Sequence, residues 1–389
     1  MNHLLSPHDW SYPVPIAYGP GRLSEIGEHC VALSMTNPLI VTDKGSRDLP
    51  FIAQTQSSLE HQGLRSHVFS NISPNPRDHE IANAKATFRE GHHDGVIAMG
   101  GGSGMDGGKA TCLTANNDID LWRFNYDAPV VDISTGNAFP PLVCIPTTSG
   151  TGAETESTAM ITDTQRGMKL CVWHPALKPS LALLDPKITL GLPPHLTAWT
   201  GIDALIHAIE AYCVPDFHPQ CDGTALEAIK LIIRWLPIAV ADSDNLEARG
   251  GMQVGSCLGG IAFLKGLGVV HAISHMVGAD YDTHHGLTNA VALPAVMRFN
   301  APMLTEKLPA LTAALGLPDS EFDSFYQALC ALLDELDIPR SLADLGVPLS
   351  AAPALAKKAH LDAAAATNAR PASVADIERI LEEAINYGR

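Results

Sequence analysis

Positive charge is scarce in this 389-residue chain: 25 Lys and Arg stand against 42 Asp and Glu, a formal net charge of -17. So acidic a surface repels phosphate backbones and anionic headgroups, so the sequence argues against nucleic acid and membrane as main partners. Long apolar runs are missing too, and none approaches the roughly 20 uncharged residues of a bilayer span. The opening MNHLLSPHDWSYPVP lacks the basic start and apolar stretch of a secretory signal, so a cytoplasmic location is expected. The eight cysteines include no C-x-x-C pair, and contexts such as PLVCIP and KLCVW mark them as reduced core thiols. Neither H-E-x-x-H nor a cysteine cluster occurs, which removes the metalloprotease and zinc-finger readings. There is no fixed-period repeat and no low-complexity tract. With 46% hydrophobic and 17% charged residues the chain is not disordered, and it has material for one large core or two ordinary ones. A small ligand or a protein partner is left.

What is present has two characters. PLIVTDKG (38–45), GVIAMGGGSG (95–104), PLVCIPTTSGTG (141–152) and SLALLDP (180–186) read as buried parallel strands ending in Gly, Asp or Thr. Between them, 49–63 and 77–91 carry helical periodicity, the second starting after the PNP breaker. STAMITDTQRGMKLCVW (157–173) alternates about a TQRG turn and predicts a hairpin. Beyond LGLPPHL (190–196) the chain turns to long Ala-, Leu-, Ile- and Glu-rich amphipathic stretches with hardly any β-branched run. The expected organisation is an α/β, Rossmann-like parallel-sheet domain over 1–190 and an all-helical domain over 191–389. In such sheets ligands sit at the carboxyl ends of the strands, where the Gly, Thr and Asp signals lie.

GGGSGMDGGKA (100–110) follows a strand and opens a helix, and Gly100, Gly101 and Gly102 are able to take the positive φ of a tight turn. Its N–H groups and the helix N-terminus suit a pyrophosphate, although G-x-G-x-x-G alone is a weak signal. A second turn, PTTSGTG (146–152), ends another strand and offers the Thr147, Thr148 and Thr151 hydroxyls. Two such loops at one sheet edge favour a nucleotide. Asp43, at the end of IVTDKG, is placed to accept from a ribose diol and to repel a 2′-phosphate, favouring NAD over NADP. The blander alternative is a strand-end Asp capping its own turn.

Seventeen histidines are the composition's oddity. Asp203 and His207 stand at i and i+4 in GIDALIHAIEAY, so they share a helix face. His271 and His275 repeat that spacing in GLGVVHAISHMVGA, and His285 follows in YDTHHGLTNAV. Buried ionisable groups cost several kcal/mol unless paired or coordinated, so three such segments in apolar surroundings point to a metal. One carboxylate and several imidazoles suit divalent Fe, Zn, Mn or Ni, and ligand type does not choose among them.

Taken together, GGGSGMDGGK, PTTSGTGAE, GIDALIHAIEAY, GLGVVHAISHMVG and HHGLTNAVALP, in this order, resemble the iron-containing (group III) alcohol dehydrogenases over essentially the whole chain. The resemblance implies a dehydroquinate synthase-like two-domain architecture, with NAD in the cleft between the domains. It implies Asp203, His207, His271 and His285 as metal ligands, usually to iron(II). It implies dinucleotide contacts from Asp43, Gly100, Gly101, Gly102, Ser103, Asp106, Thr147, Thr148, Thr151 and Lys169, with Asn75 near the adenosine side. His275 matches a non-ligand histidine beside the nicotinamide, and a homodimer is implied. The activity implied is hydride transfer between NAD(H) and a small alcohol or aldehyde whose oxygen the metal polarises. The other reading carried forward is an NAD- and metal-dependent lyase of the dehydroquinate synthase type, which needs a basic pocket from Lys109, Lys169, Lys265 or Arg298. His284 replaces a proline common in the family and reads as substrate-binding, proton-relaying or merely superficial.

Overall fold

The computed structural model describes residues 14–133 and 139–389; the first 13 residues of the opening segment read above lie outside them. Among the described residues eight strands run β1 (Ile16–Tyr18), β2 (Leu39–Asp43), β3 (His67–Ile72), β4 (Val96–Gly100), β5 (Leu142–Pro146), β6 (Thr158–Asp163), β7 (Met168–Trp173) and β8 (Leu181–Leu184). All but β6 and β7 form one parallel sheet in the order β1-β8-β5-β4-β2-β3. β6 and β7 pair antiparallel, as the alternation about TQRG predicts.

The sheet is covered on both faces, which is why its central strands read as continuous apolar runs. Leu39, Val41, Val96, Ala98 and Leu142 pack with α3 (Asp78–Glu90) and α4 (Gly102–Ala115), whereas Ile40, Ile97, Met99, Val143 and Ile145 pack with α1 (Ile26–Ala32) and α2 (Pro50–His61). Burying each such side chain contributes up to about 1.5–3 kcal/mol. The two strands that the sequence reading lacks, β1 and β3, are the sheet's edges. β3 mixes exposed and buried positions and has no apolar run to read.

From β2 the chain moves outward to β3 and then returns to the other side of β2 as β4, so the strand order reverses between β2 and β4. A crevice opens at such a reversal. Asp43 and Gly100 end these two strands side by side: a Cβ on Gly100 would sit 2.9 Å from Asp43 Oδ2.

The second half is helical. It comprises α5 (Pro194–Cys213), α6 (Pro219–Ala241), α7 (Leu246–Ala262), α8 (Val269–Tyr281), α9 (His285–Asn300), α10 (Leu308–Ala314), α11 (Phe322–Glu335), α12 (Ala352–His360), α13 (Ala363–Ala366) and α14 (Val374–Asn386). One continuous apolar core joins them, and α5 runs through it, buried from Thr197 to Cys213 except at Trp199. No single helix among the described residues is long and apolar enough to cross a membrane.

The halves meet with almost no clearance where the loop after β5 touches α7. A Cβ on Gly152, whose φ is +60°, would come within 2.5 Å of Gly260 Cα, and one on Gly260 within 2.6 Å of Gly152 O. Both positions therefore require glycine. Behind this contact Arg249, fully buried on α7, ties α7 to the start of the helical half by donating to Thr197 Oγ1 (2.7 Å) and to the carbonyls of Leu192 (3.1 Å) and Ser243 (3.0 Å). This seam brings the strand-end loops face to face with α5 and α8.

Candidate active site

Asp203, His207, His271 and His285 come together at the floor of the cleft, with one ligand atom from each lying within 4.8 Å of every other. The Nε2 atoms of His207, His271 and His285 stand 3.9, 3.7 and 3.8 Å from Asp203 Oδ1. Four donors arranged tetrahedrally around an ion at about 2.2 Å would be separated by roughly 3.6 Å, and the observed spacing matches that. His271 Nε2 is buried and has no hydrogen-bond partner. An orphaned nitrogen of this kind is costly unless a cation takes it. The donor set therefore fits a divalent transition metal.

The three histidines of the cluster are fixed from behind through the other ring nitrogen. His207 Nδ1 lies 3.2 Å from the carbonyl of Gly150, His271 Nδ1 lies 2.6 Å from Glu210 Oε2, and His285 Nδ1 lies 2.9 Å from Ser274 Oγ. Asn289 Nδ2 donates to Asp203 Oδ1 at 2.7 Å. Burial pushes His207 down to about 4 and His285 well below its ordinary value. For Asp203 burial acts upward, but the surrounding histidines outweigh it and hold the carboxyl well below the usual range. In His271 burial again opposes charge, yet Asp203 and Glu210 outweigh it and lift the ring to about 9. The carboxylates thus draw positive charge to this point.

Of the residues assigned above to the dinucleotide, all but Gly100 line one cleft of about 1950 Å³, which the four ligand candidates and His275 also line. Gly100 adopts φ +149°, but Gly101 (φ -74°) does not need a positive φ and Gly102 is already the first residue of α4, which corrects the expectation for the triplet. Close approach is the reason for the other glycines. A Cβ on Gly101 or Gly102 would press on Thr148 or Thr151 across the cleft, and one on Gly104 would meet the Met99 carbonyl at 2.8 Å. Deeper in α4, Gly107 and Gly108 let the helix lie on Ile72 and Ala98. No side chain caps α4, so its first N–H groups are available to an anion. Thr148 Oγ1 and Ser149 Oγ are buried without partners beside it. Such a cradle fits a pyrophosphate.

Asp43 caps its own turn, accepting from Gly45 N (2.9 Å), Ser46 N (3.0 Å) and Ser46 Oγ (2.8 Å). Three of the roughly four acceptor positions of the carboxylate are engaged, and it still lines the cleft. Asn75 bridges the halves: its Oδ1 accepts from Lys169 Nζ at 3.2 Å and its Nδ2 donates to Asp282 Oδ1 at 3.0 Å. Lys169 is buried, which pushes its ammonium down, while Asp106, Asp203 and Asp362 oppose that. The other basic groups considered for an anionic substrate are engaged elsewhere: Lys109 donates to the Ala153 carbonyl, Lys265 to Asp222, and Arg298 to Glu383.

His275 stacks on His285 with ring centroids 5.3 Å apart and planes 11° apart, yet it stays outside the four-atom cluster. Its Nδ1 is held 2.9 Å from Asp362 Oδ2. His284 is not superficial. It caps α9 through Nδ1, which accepts from Leu287 N (3.4 Å), packs on Trp199 and lines the cleft beside His285.

Two family models account for nearly all of the chain: iron-containing alcohol dehydrogenase over residues 13–186, and Fe-containing alcohol dehydrogenase family, C-terminal, over 197–385. The chain belongs to the iron-containing alcohol dehydrogenase family. It is 35% identical over 385 residues to a 1,3-propanediol dehydrogenase of Citrobacter freundii, covering 97% of this chain and 98% of that one. With an NAD-dependent methanol dehydrogenase of Bacillus methanolicus it shares 34% identity over 384 residues, 96% of this chain and 98% of that one. An alcohol dehydrogenase from Oenococcus oeni has the same fold, with a TM-score of 0.92 at 33% identity, covering 97% of this chain and all of that one. The enzyme is an NAD-dependent, metal-dependent oxidoreductase of small alcohols and aldehydes, with iron and NAD as its cofactors. The lyase reading is left without support.

Glu210, Ser274, Asn289 and Asp362 were not singled out from the sequence. Glu210 had a signal, since it falls three residues after His207 on the face that carries Asp203. Asp362 had none, because 87 residues separate it from His275.

Proposed function

We propose that Asp203, His207, His271 and His285 hold the enzyme's divalent metal and that the strand-end loops hold NAD(H) opposite it. The observation that carries this is the convergence of four ligand atoms within 4.8 Å around the unpartnered, buried Nε2 of His271. When bound, the ion supplies Lewis acidity to the oxygen of the alcohol or aldehyde.

The chain's own residues do the rest. The N–H groups of Ser103 and its neighbours, with Thr147, Thr148 and Thr151, receive the pyrophosphate, and Asp43 accepts from the ribose. Lys169 and Asp106 orient the nicotinamide half, and Asn75, which accepts from Lys169, lines the same cleft. Phe263, which packs on His207, and Leu267 give the cleft apolar walls that would hold a small alcohol over the His cluster. His275, fixed through Nδ1 by Asp362, lines the cleft, and its Nε2 carries the alcohol's proton toward solvent.

The division into a dinucleotide domain over 1–190 and a metal-binding domain over 191–389 follows from the change of architecture between β8 and α5. A homodimer is supported by the edge strand β1, where Ile16 and Tyr18 remain 41% and 42% exposed. A cytoplasmic location is supported by eight unpaired cysteines. The experiment is anaerobic loading with Fe(II) and addition of NADH with a panel of short aldehydes. Metal-dependent NADH consumption is expected, and His271→Ala loses both metal and turnover; consumption by stripped protein rules the reading out.

A further inference from the structure

Glu210 lies outside the cleft, behind the metal cluster, and only about 3% exposed. It occupies α5 three residues after His207 and seven after Asp203, on the helix face that presents both of those ligands. Instead of joining them, it reaches across to α8. Oε2 stands 2.6 Å from His271 Nδ1 and accepts from Gly268 N at 3.0 Å, and Oε1 accepts from Val270 N at 2.9 Å. Gly268 is held close by the same contact, because a Cβ there would come within 2.5 Å of Oε1. Every contact of this buried carboxylate therefore serves one short segment, the start of α8 and the ring of His271.

From this geometry we infer that Glu210 is a positioning residue for the metal site: it fixes His271 with Nε2 toward Asp203 and supplies the second negative charge that matches the site to a divalent ion. The inference rests on the ligand assignment proposed above. A carboxylate on Nδ1–H fixes the tautomer, orients the ring and makes Nε2 a stronger donor. The charge count points the same way. With an ion bound, the three imidazoles are neutral and contribute no charge, and Asp203 alone leaves a 2+ ion half compensated; Asp203 and Glu210 together neutralise it. In a buried site that balance matters, since uncompensated charge is strongly disfavoured there. Glu210 holds no other cation: no ion pair to Lys or Arg is formed by its carboxylate among the described residues.

A carboxylate that only capped α8 would stabilise the fold without touching metal affinity, and the two roles separate experimentally. Glu210→Gln keeps the size of the side chain and a carbonyl acceptor but removes the charge. Zn(II) affinity of the full-length protein is measured by chelator competition, beside thermal melting of the stripped protein and the visible spectrum of the Co(II)-loaded form. Expected for Glu210→Gln is a loss of about 10- to 100-fold in affinity, the range usual for a group that hydrogen-bonds a metal-bound histidine, with an altered Co(II) spectrum. Affinity within two-fold of wild type and an unchanged spectrum overturn the inference, whatever happens to the melting temperature. Should that variant fail to fold, the wild-type Zn(II) form decides. A downfield, slowly exchanging imidazole proton, missing in His271→Ala, is expected from the His271–Glu210 bond, and its absence refutes the role. His271→Ala also separates the two levels: if it retains Zn(II) at wild-type affinity, the ligand assignment fails; if it loses the ion while Glu210→Gln retains it, only the role of Glu210 fails.

Discussion

Asp362→Asn isolates what holds His275 in place. The carboxylate divides its two oxygens: Oδ2 faces His275 Nδ1 at 2.9 Å, and Oδ1 accepts from Ala364 N at 2.9 Å as the N-cap of α13. Asn keeps Oδ1, and with it the cap, but turns an N–H toward Nδ1. The imidazole must then carry its proton on Nε2, so that nitrogen can no longer accept one. A hydrogen bond to a charged group contributes about 1.5–3 kcal/mol, so kcat/KM for alcohol oxidation is expected to fall by roughly 10- to 150-fold. The assay is the pH profile of kcat/KM, with KM for NAD and metal content measured in parallel; both are expected to stay near wild type. Acid stability supplies a second readout. Burial pushes the Asp362 carboxyl up, but the charge and hydrogen bond of His275 outweigh it and hold it below 3.8. Its folded value therefore lies below its unfolded one, so the stabilisation is present above about pH 4 and is lost as pH falls further. Asn has no such increment to lose. A variant with wild-type kcat/KM at every pH would refute the role given to this pair.

Gly260→Ala places a methyl group 2.6 Å from Gly152 O and 2.7 Å from Thr155 Oγ1, so about 1–3 kcal/mol of stability is expected to disappear, read as a lower melting temperature. An unchanged melting temperature would mean that the seam is slack. Asp43→Ala is expected to weaken NADH and to narrow the gap between NADH and NADPH in steady-state kinetics; a gap of wild-type size would show that Asp43 only caps its turn. Burial lifts Glu154 to about 7 and Glu156 to about 8, so the folded chain binds protons that the unfolded chain has released above about 4.5. Their contribution to stability therefore falls as pH rises from about 4.5 to 8. Urea midpoints at pH 5.5 and 8 are expected to differ less in Glu154→Gln/Glu156→Gln than in wild type, and an equal difference would place the titration elsewhere.

How much of this was legible in the sequence depended on how local each signal was. The central strands showed as apolar runs because both sheet faces are covered, while β1 and β3 lost that pattern at the edges. Asp203 and His207 could be paired from their spacing alone, since four residues along a helix fix a shared face. The same spacing joins His271 and His275, and there it misleads if read alone. Tertiary partners separate the two rings, with Glu210 turning His271 into the cluster and Asp362 holding His275 beside it. The glycine loop was found from composition, but the reason for each glycine was not. Only Gly100 takes a positive φ; Gly104 and Gly108 are required by backbone and Ala98 neighbours that only the folded chain brings near. Asn75 has side-chain partners 94 and 207 residues away, and no local pattern reports such contacts.

The most direct measurement is a metal-stoichiometry titration. Stripped enzyme is given Fe(II) anaerobically in steps, and NADH oxidation with a short aldehyde is followed at each step, for wild type and for His271→Ala. The account expects turnover to rise in proportion to Fe(II) and to level off at one ion per chain in wild type, with no rise in His271→Ala. Full turnover without added metal, or an undiminished rise in His271→Ala, would contradict it.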